Sequence, residues 1–162
     1  MRPILFFLFF ILAIAQACKP TQKLKYVENS DVLVQKVKQG INGIVQSVSG
    51  NQMPSTDQKK GGPRGFPTTV FFYEPTNINQ ITRHDQQPLY NSVLTKLIST
   101  VETDSTGAFT ASLPIGTYSV FVQVDKLFFA NNFDIRNNIS LITVEAGKLT
   151  EIKILVNHNA AY

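Results

Sequence analysis

"DSTGAFTASLPIGTYSVFV", residues 104–122, decides the fold class. Two runs with apolar residues at every second position flank Pro114-Ile115-Gly116. In the first, Phe109, Ala111 and Leu113 share a face. In the second, which continues as "TYSVFVQV" to Val124, Tyr118, Val120 and Val122 share one. A period of two marks a half-buried strand, because successive side chains point to opposite faces of the pleat. The stretch opens on Asp104-Ser105-Thr106-Gly107, a tight turn in which Gly107 supplies the positive φ that a side chain resists.

Working outward, the same rhythm recurs. "INGIVQSV" (41–48), closed by Gly50-Asn51, reads as a strand, as do "TTVFFYE" (68–74) and "KLISTVET" (96–103). The near-continuous apolar run of "TTVFFYE" predicts a strand covered on both faces. "NISLITVE" (138–145) and "LTEIKILV" (149–156), joined by Ala146-Gly147, read as a closing hairpin. Thr150, Ile152, Ile154 and Val156 would face inward, Glu151 and Lys153 outward. Short apolar runs separated by turn residues predict an all-β sandwich of about seven strands over residues 40–162. Two stretches break the rhythm: "GNQMPSTDQKKGGPRGFP" (50–67), rich in Gly, Pro and charge, and "PTNINQITRHDQQPLYNSV" (75–93). Both read as long connections, which in a compact domain are places to look for binding.

The N-terminus gives an address. Arg2, the apolar "ILFFLFFILAI" (4–14) and Ala15-Gln16-Ala17 have the layout of an export signal over residues 1–17. The apolar run is shorter than the roughly 20 residues that span a bilayer. Cleavage after Ala17 would leave Cys18, the only cysteine of the chain, at the new N-terminus. Either an ordinary signal peptidase leaves a free thiol there, or the stretch acts as a lipobox and Cys18 is lipidated. A lone thiol in an oxidising compartment has no disulfide partner, so its placement at this one position favours the lipid. One acyl chain holds a protein reversibly, whereas two or more anchor it stably. Residues 18–39 then read as a lipidated tether. Within them "SDVLVQKVKQG", from Ser30 to Gly40, is open between a short helix and the start of a strand.

Asp104, Gly107, Phe109, Leu113, Pro114, Gly116, Tyr118 and Val120 make residues 104–122 resemble the core signature of the carboxypeptidase-regulatory-like, or transthyretin-like, domain. Gly43, Val45, Gly50 and Pro54 resemble the first strand and turn of that superfamily. With the export signal and Cys18, the chain looks like a stand-alone bacterial lipoprotein branch of it. The resemblance implies a prealbumin-like sandwich. It implies no particular chemistry, since that fold hosts enzymes, carriers and accessory domains alike. The urate-pathway hydrolases of the superfamily end in Tyr-Arg-Gly-Ser; this chain ends in "AAY", so their activity is not carried over.

Charge and composition narrow the partners. The formal net charge is +4, of which Arg2 leaves with the signal. Lys19, Lys23 and Lys25 lie near the anchor and suit anionic head groups. Export and the lack of a patterned basic face argue against nucleic acid. No cofactor or metal is expected. No His/Cys spacing fits zinc, and Asp125 and Asp134 lack the alternating oxygen ligands of a calcium loop. Arg83-His84-Asp85 is the one acid–base candidate, and a hydrolase using His84 is the least favoured reading. In "KKGGPRG", Lys59, Lys60 and Arg64 are a candidate site for a polyanion or partner. Phe128, Phe129 and Phe133 fill the core or, where exposed, form a partner patch. The leading expectation is a non-catalytic envelope lipoprotein, on the outer membrane or cell surface of a Gram-negative bacterium, that binds or scaffolds a protein or glycan. The alternative is a soluble secreted carrier of a small hydrophobic ligand.

Overall fold

The computed structural model describes residues 38–53, 62–85 and 88–162. The signal, Cys18, residues 18–37 of the tether, Pro54, Lys59 and Lys60 lie outside them. Among the described residues the chain is all-β, with thirteen strands and one 3₁₀ turn. Seven strands coincide with the seven runs expected from the sequence: β1 (Gly40–Ser47), β4 (Thr69–Tyr73), β7 (Leu97–Glu102), β8 (Ala108–Ser112), β9 (Gly116–Val124), β11 (Leu141–Val144) and β12 (Leu149–Val156). The other six are β6 (Leu89–Val93), as long as β4 and β8, and the shorter β2 (Gly50–Asn51), β3 (Arg64–Gly65), β5 (Ile81–Arg83), β10 (Leu127–Phe129) and β13 (Ala160–Ala161).

Two sheets face one another. In the smaller, β1 is central, parallel to β12 along its whole length on one edge and antiparallel to β8 and β3 on the other. The larger runs β5-β6-β10-β9-β4-β7, with β11 beside β10 on the same edge of β9. A third, two-stranded piece joins β13 to β2. The apolar alternate residues forecast to face inward do so, whereas Thr150, forecast with them, turns its hydroxyl to Thr143 O on the exposed side. Phe109, Ala111, Leu113, Tyr118, Val120 and Val122 meet Ile41, Val45, Val70 and Phe72 in the inter-sheet core. Ile152 and Ile154 pack against it.

The turn at Asp104–Gly107 clamps one end of this core. The Asp104 carboxylate accepts hydrogen bonds from the Thr106 hydroxyl at 2.6 Å and from the Thr106 and Ala108 N–H groups at 2.8 and 2.9 Å. Gly107 has φ +82°, and its carbonyl accepts a hydrogen bond from Val45 N at 2.8 Å. Its turn therefore binds β8 to β1 through a conformation that only glycine adopts readily.

Two expectations need correction. The 75–93 stretch is not one long connection: it holds the 3₁₀ turn Ile78–Gln80 and the β5–β6 pair. Asn77 caps that turn, with Gln80 bonding back to the Asn77 N–H. Likewise β2 and β3 fall inside 50–67. The expected closing hairpin is an arch. β11 pairs with β9 in the larger sheet, whereas β12 crosses to pair with β1 in the smaller. Both strands still send alternate apolar residues into the same core, from opposite sides.

The larger sheet also buries its outer face. Tyr73, Tyr90, Phe121, Ala130 and Ile139 form a second core, with Phe71, Ile81, Val93 and Phe128 packed on it. Edge-on ring contacts run through it, from Phe71 to Phe128 at 5.1 Å and from Tyr73 to Phe121 at 5.7 Å between centroids. This explains the continuous apolar run of β4: Val70 and Phe72 serve the first core, Phe71 and Tyr73 the second.

Candidate functional site

β12 supplies the most developed candidate. Its inner edge is taken by β1, with Gly40 N donating to Lys148 O and Val48 N to Val156 O. In a strand, backbone groups point alternately to either side, so the even-numbered residues from 148 to 156 face β1. The N–H and C=O of Glu151, Lys153 and Leu155 therefore face the open edge. Along that edge runs a cleft of about 320 Å³ between the two sheets. Its far wall is the seam of β10 and β11, with Phe129, Ala130, Leu141 and Ile142, and Val120 lies behind. Asn131, Asn132 and Ser140 line it with polar groups, and Lys153 lies on the strand edge itself. Asn131 Nδ2 reaches Leu155 O at 3.4 Å and Asn157 Oδ1 at 2.9 Å, so the edge is lightly bridged at one end.

The arrangement can do two things chemically. Unpaired edge amides and carbonyls can accept a further strand by main-chain hydrogen bonding. The apolar wall can take one or two side chains of that strand, or a small apolar ligand near the lower end of the usual pocket size of about 300–1,000 Å³. Sequence reasoning missed this site. Its lining residues look like ordinary strand residues, and only the crossing of the chain between β11 and β12 leaves the edge open.

The residues singled out from the sequence are scattered. Arg64 is exposed in β3, opposite Ser47, and lines a second hollow of about 190 Å³ with Ser47, Val48, Ser49 and Gly62. The three phenylalanines do not form a patch. Phe129 is 1% exposed and belongs to the inter-sheet core, because β10 alternates and its odd residues face inward. Phe128 lies on the outer face, half-buried among Phe71, Tyr73 and Phe121. Phe133 alone is exposed, at 39%.

His84 follows β5. Its Nδ1 lies 3.2 Å from Asn91 Oδ1 and its Nε2 3.8 Å from Asp85 Oδ2, both on the surface. Adjacent side chains thus do converge here, aided by the left-handed backbone of Asp85 at φ +56°. Among the described residues no hydroxyl or thiol hydrogen-bonds to that imidazole. His158 lies against Phe129 with ring centroids 6.1 Å apart, a packing role. Asp125 and Asp134 do not converge on a cation: among the described residues no three His, Cys, Asp or Glu side chains gather as a metal site. Asp134 instead accepts hydrogen bonds from Arg136 N, Asn138 N and Asn138 Nδ2, which shape its own loop.

Searches against models of known protein families, curated proteins and solved structures return no match to this chain.

Proposed function

We propose that this chain is a membrane-anchored, non-catalytic binding or scaffolding module of the bacterial envelope, and that it captures an extended segment of a partner protein along the open edge of β12. The observation that carries the proposal is the pairing of two features in one place. Backbone donors and acceptors of Glu151, Lys153 and Leu155 face outward, and a cleft lined by apolar and polar side chains together lies directly beside them. A lipid on Cys18 would hold the module at a membrane, and residues 19–39 would give it reach. The transthyretin-like resemblance is compatible with such an accessory role but does not select it.

The test is Lys153→Pro. Proline removes one outward N–H while leaving the ladder to β1 intact, a setting in which an edge strand tolerates it. The variant should fold and lose most of its partner capture in envelope cross-linking. Full capture by a folded Lys153→Pro chain would remove the β12 edge from the account. If capture instead falls only when Lys59, Lys60 and Arg64 are replaced with alanine, the partner is a polyanionic glycan at the 59–64 segment. The anchor has its own test, the mass of the N-terminal peptide from native envelope. A peptide beginning at lipidated Cys18 is expected.

A second reading, a secreted carrier of a small ligand, rests on the volume of the same cleft and on Val120, Phe129, Leu141 and Ile142 on one side of it. A carrier would be indifferent to Lys153→Pro and would retain a ligand visible in native mass spectrometry.

A further inference from the structure

The outer strands of the two sheets are not alike. In β7, Ile98 is an extra residue between Leu97, opposite Tyr73, and Ser99, opposite Phe72. β5 is three residues long and meets an extra residue, Asn91, in its neighbour β6. Irregularities of this kind bend an edge away from further pairing. β8, across the smaller sheet from β12, is short and uncharged. β12 runs in unbroken register with β1 from Leu149 to Val156, and its outer edge carries two opposite charges. Glu151 and Lys153 are exposed on the outer face of the smaller sheet, because Ile152 and Ile154 alternate with them and pack on the inter-sheet core. Neither is in an ion pair among the described residues. Their neighbours across the ladder are the uncharged Asn42 and Ile44, and Glu145 and Lys148 in the preceding turn are paired with each other.

The order of residues along this edge is self-complementary. Leu149, Glu151, Lys153 and Leu155 share the outer face, and theirs are the backbone groups directed away from β1. Set against a second β12 running the opposite way, with a two-fold axis at Ile152, Glu151 meets Lys153 of the second copy and Lys153 meets its Glu151. Leu149 meets Leu155 on either side of them. Directly opposed residues of antiparallel strands share a face, and where both direct their backbone groups at the partner they exchange both hydrogen bonds. Residues 151 and 153 satisfy that condition together. Moving the axis by one residue sets Glu151 against Glu151 or Lys153 against Lys153, and like charges directly opposed are destabilising. An axis between two residues would oppose an outward backbone group to one already bonded to β1. One register is therefore selected by charge and hydrogen bonding together.

We infer that β12 pairs with β12 of a second copy of this chain, antiparallel about Ile152, so that the two smaller sheets become one continuous sheet. A contact that uses the same surface on both copies closes as a dimer and does not propagate. The inward-facing side chains of the added strand, Ile152 and Ile154, enter the cleft beside Phe129, Leu141 and Ile142. The central pairs form without disturbing either chain. At the outer pairs the contact of Asn131 Nδ2 with Leu155 O, 3.4 Å long, gives way to a main-chain bond. The inference rests on the strand-addition reading of the β12 edge and names its partner.

The test is the oligomeric state of the full chain, extracted from its envelope in detergent and followed by sedimentation equilibrium. A monomer–dimer equilibrium is expected. Lys153→Glu and Glu151→Lys each set like charges against one another in both central pairs, and each should weaken dimerisation about ten-fold or more. An equimolar mixture of these two variants restores opposite charges in both pairs and should dimerise as the wild type does. So should the double variant Glu151→Lys, Lys153→Glu. Thermal melts verify that every chain is folded. A wild type that stays monomeric at all concentrations, single variants that dimerise as tightly as wild type, or failure of either rescue overturns the inference. The strand-addition reading is judged apart from it. A monomeric chain whose partner capture still falls with Lys153→Pro keeps that reading and removes the second copy as the partner. A dimer untouched by Lys153→Pro places self-association on another surface and overturns the inference.

Discussion

Gly107 shows how one residue carries a fold. A Cβ on it would lie 2.0 Å from Val45 O, a backbone atom that cannot yield without moving β1, and its φ of +82° is strained for any other residue. Gly107→Ala is therefore expected to cost about 2–4 kcal/mol, read as a lower urea midpoint at unchanged slope. A loss within a few tenths of that midpoint's error would mean that the turn relaxes freely. The phenylalanines give a paired contrast. Phe129→Ala opens a cavity in the inter-sheet core and should cost about 3–5 kcal/mol. Phe133→Ala, at an exposed position, should fall within about 0.5 kcal/mol of wild type. Comparable losses at both would contradict the placement of Phe129 inside and Phe133 outside.

At the scale of elements, buried polar groups and self-bonded loops hold the outer core in place. Tyr90 is 1% exposed, and its hydroxyl donates to Ala130 O at 3.0 Å, tying β6 to the segment after β10. Burial pushes its phenol above the usual range, with Arg83 drawing it partly back. Tyr90→Phe leaves that carbonyl without its partner and should cost about 1–3 kcal/mol by thermal denaturation. Two carboxylates shape connections. Asp104 is held below the usual carboxylate range first by the Thr106 hydroxyl and then by the N–H groups of its turn. Asp134 is held there first by the Asn138 side chain and then by the Asn138 N–H. A carboxyl whose folded pKa lies below its unfolded one adds stability above the unfolded value, near pH 4, and loses it as pH falls through the folded value. Both groups are exposed, so solvent screens the effect. The Asp104→Asn, Asp134→Asn double variant should accordingly show a flatter loss of stability than wild type below about pH 4. Parallel curves for the two proteins would dismiss these bonds as a source of acid sensitivity.

For the whole molecule, the decisive feature is that the two ends of the domain's sequence meet. β1 and β12 pair in parallel across all eight residues of each. Parallel neighbours cannot be joined by a tight turn, so this pairing closes only after the intervening chain is in place. Truncation after Lys148 removes Ile152, Ile154 and Val156 from the core and should abolish cooperative unfolding in circular dichroism. Truncation after Val156 removes β13, the His158–Phe129 contact and the Asn131–Asn157 bond, and should lower the melting temperature while leaving a cooperative transition. A cooperative fold in the shorter chain would show that β1 and β8 with the larger sheet are a sufficient core. The same long-range closure leaves the outer edge of β12 open, since that strand arrives last and nothing among the described residues pairs with it there.

What the sequence determined by itself is the all-β class, the seven main strands, their inward faces and the Asp104–Gly107 turn. Each is a local property: a period of two, or a positive φ, is written in a handful of consecutive residues. The sequence also marked Cys18 by its uniqueness. Only the tertiary structure decided which sheet each strand joins. "NISLITVE" and "LTEIKILV" alternate in the same way whether they form a hairpin or an arch, because facing a core does not say from which side. It decided too that 75–93 folds into β5 and β6 over a second core, where Thr82, Asn91 and Ser92 gave the stretch a loop-like polarity although Ile81, Tyr90 and Val93 were available to cover Phe121. The cleft at β12 depends on residues far apart in the chain, brought together by strand register, and no local pattern encodes register across a hundred residues.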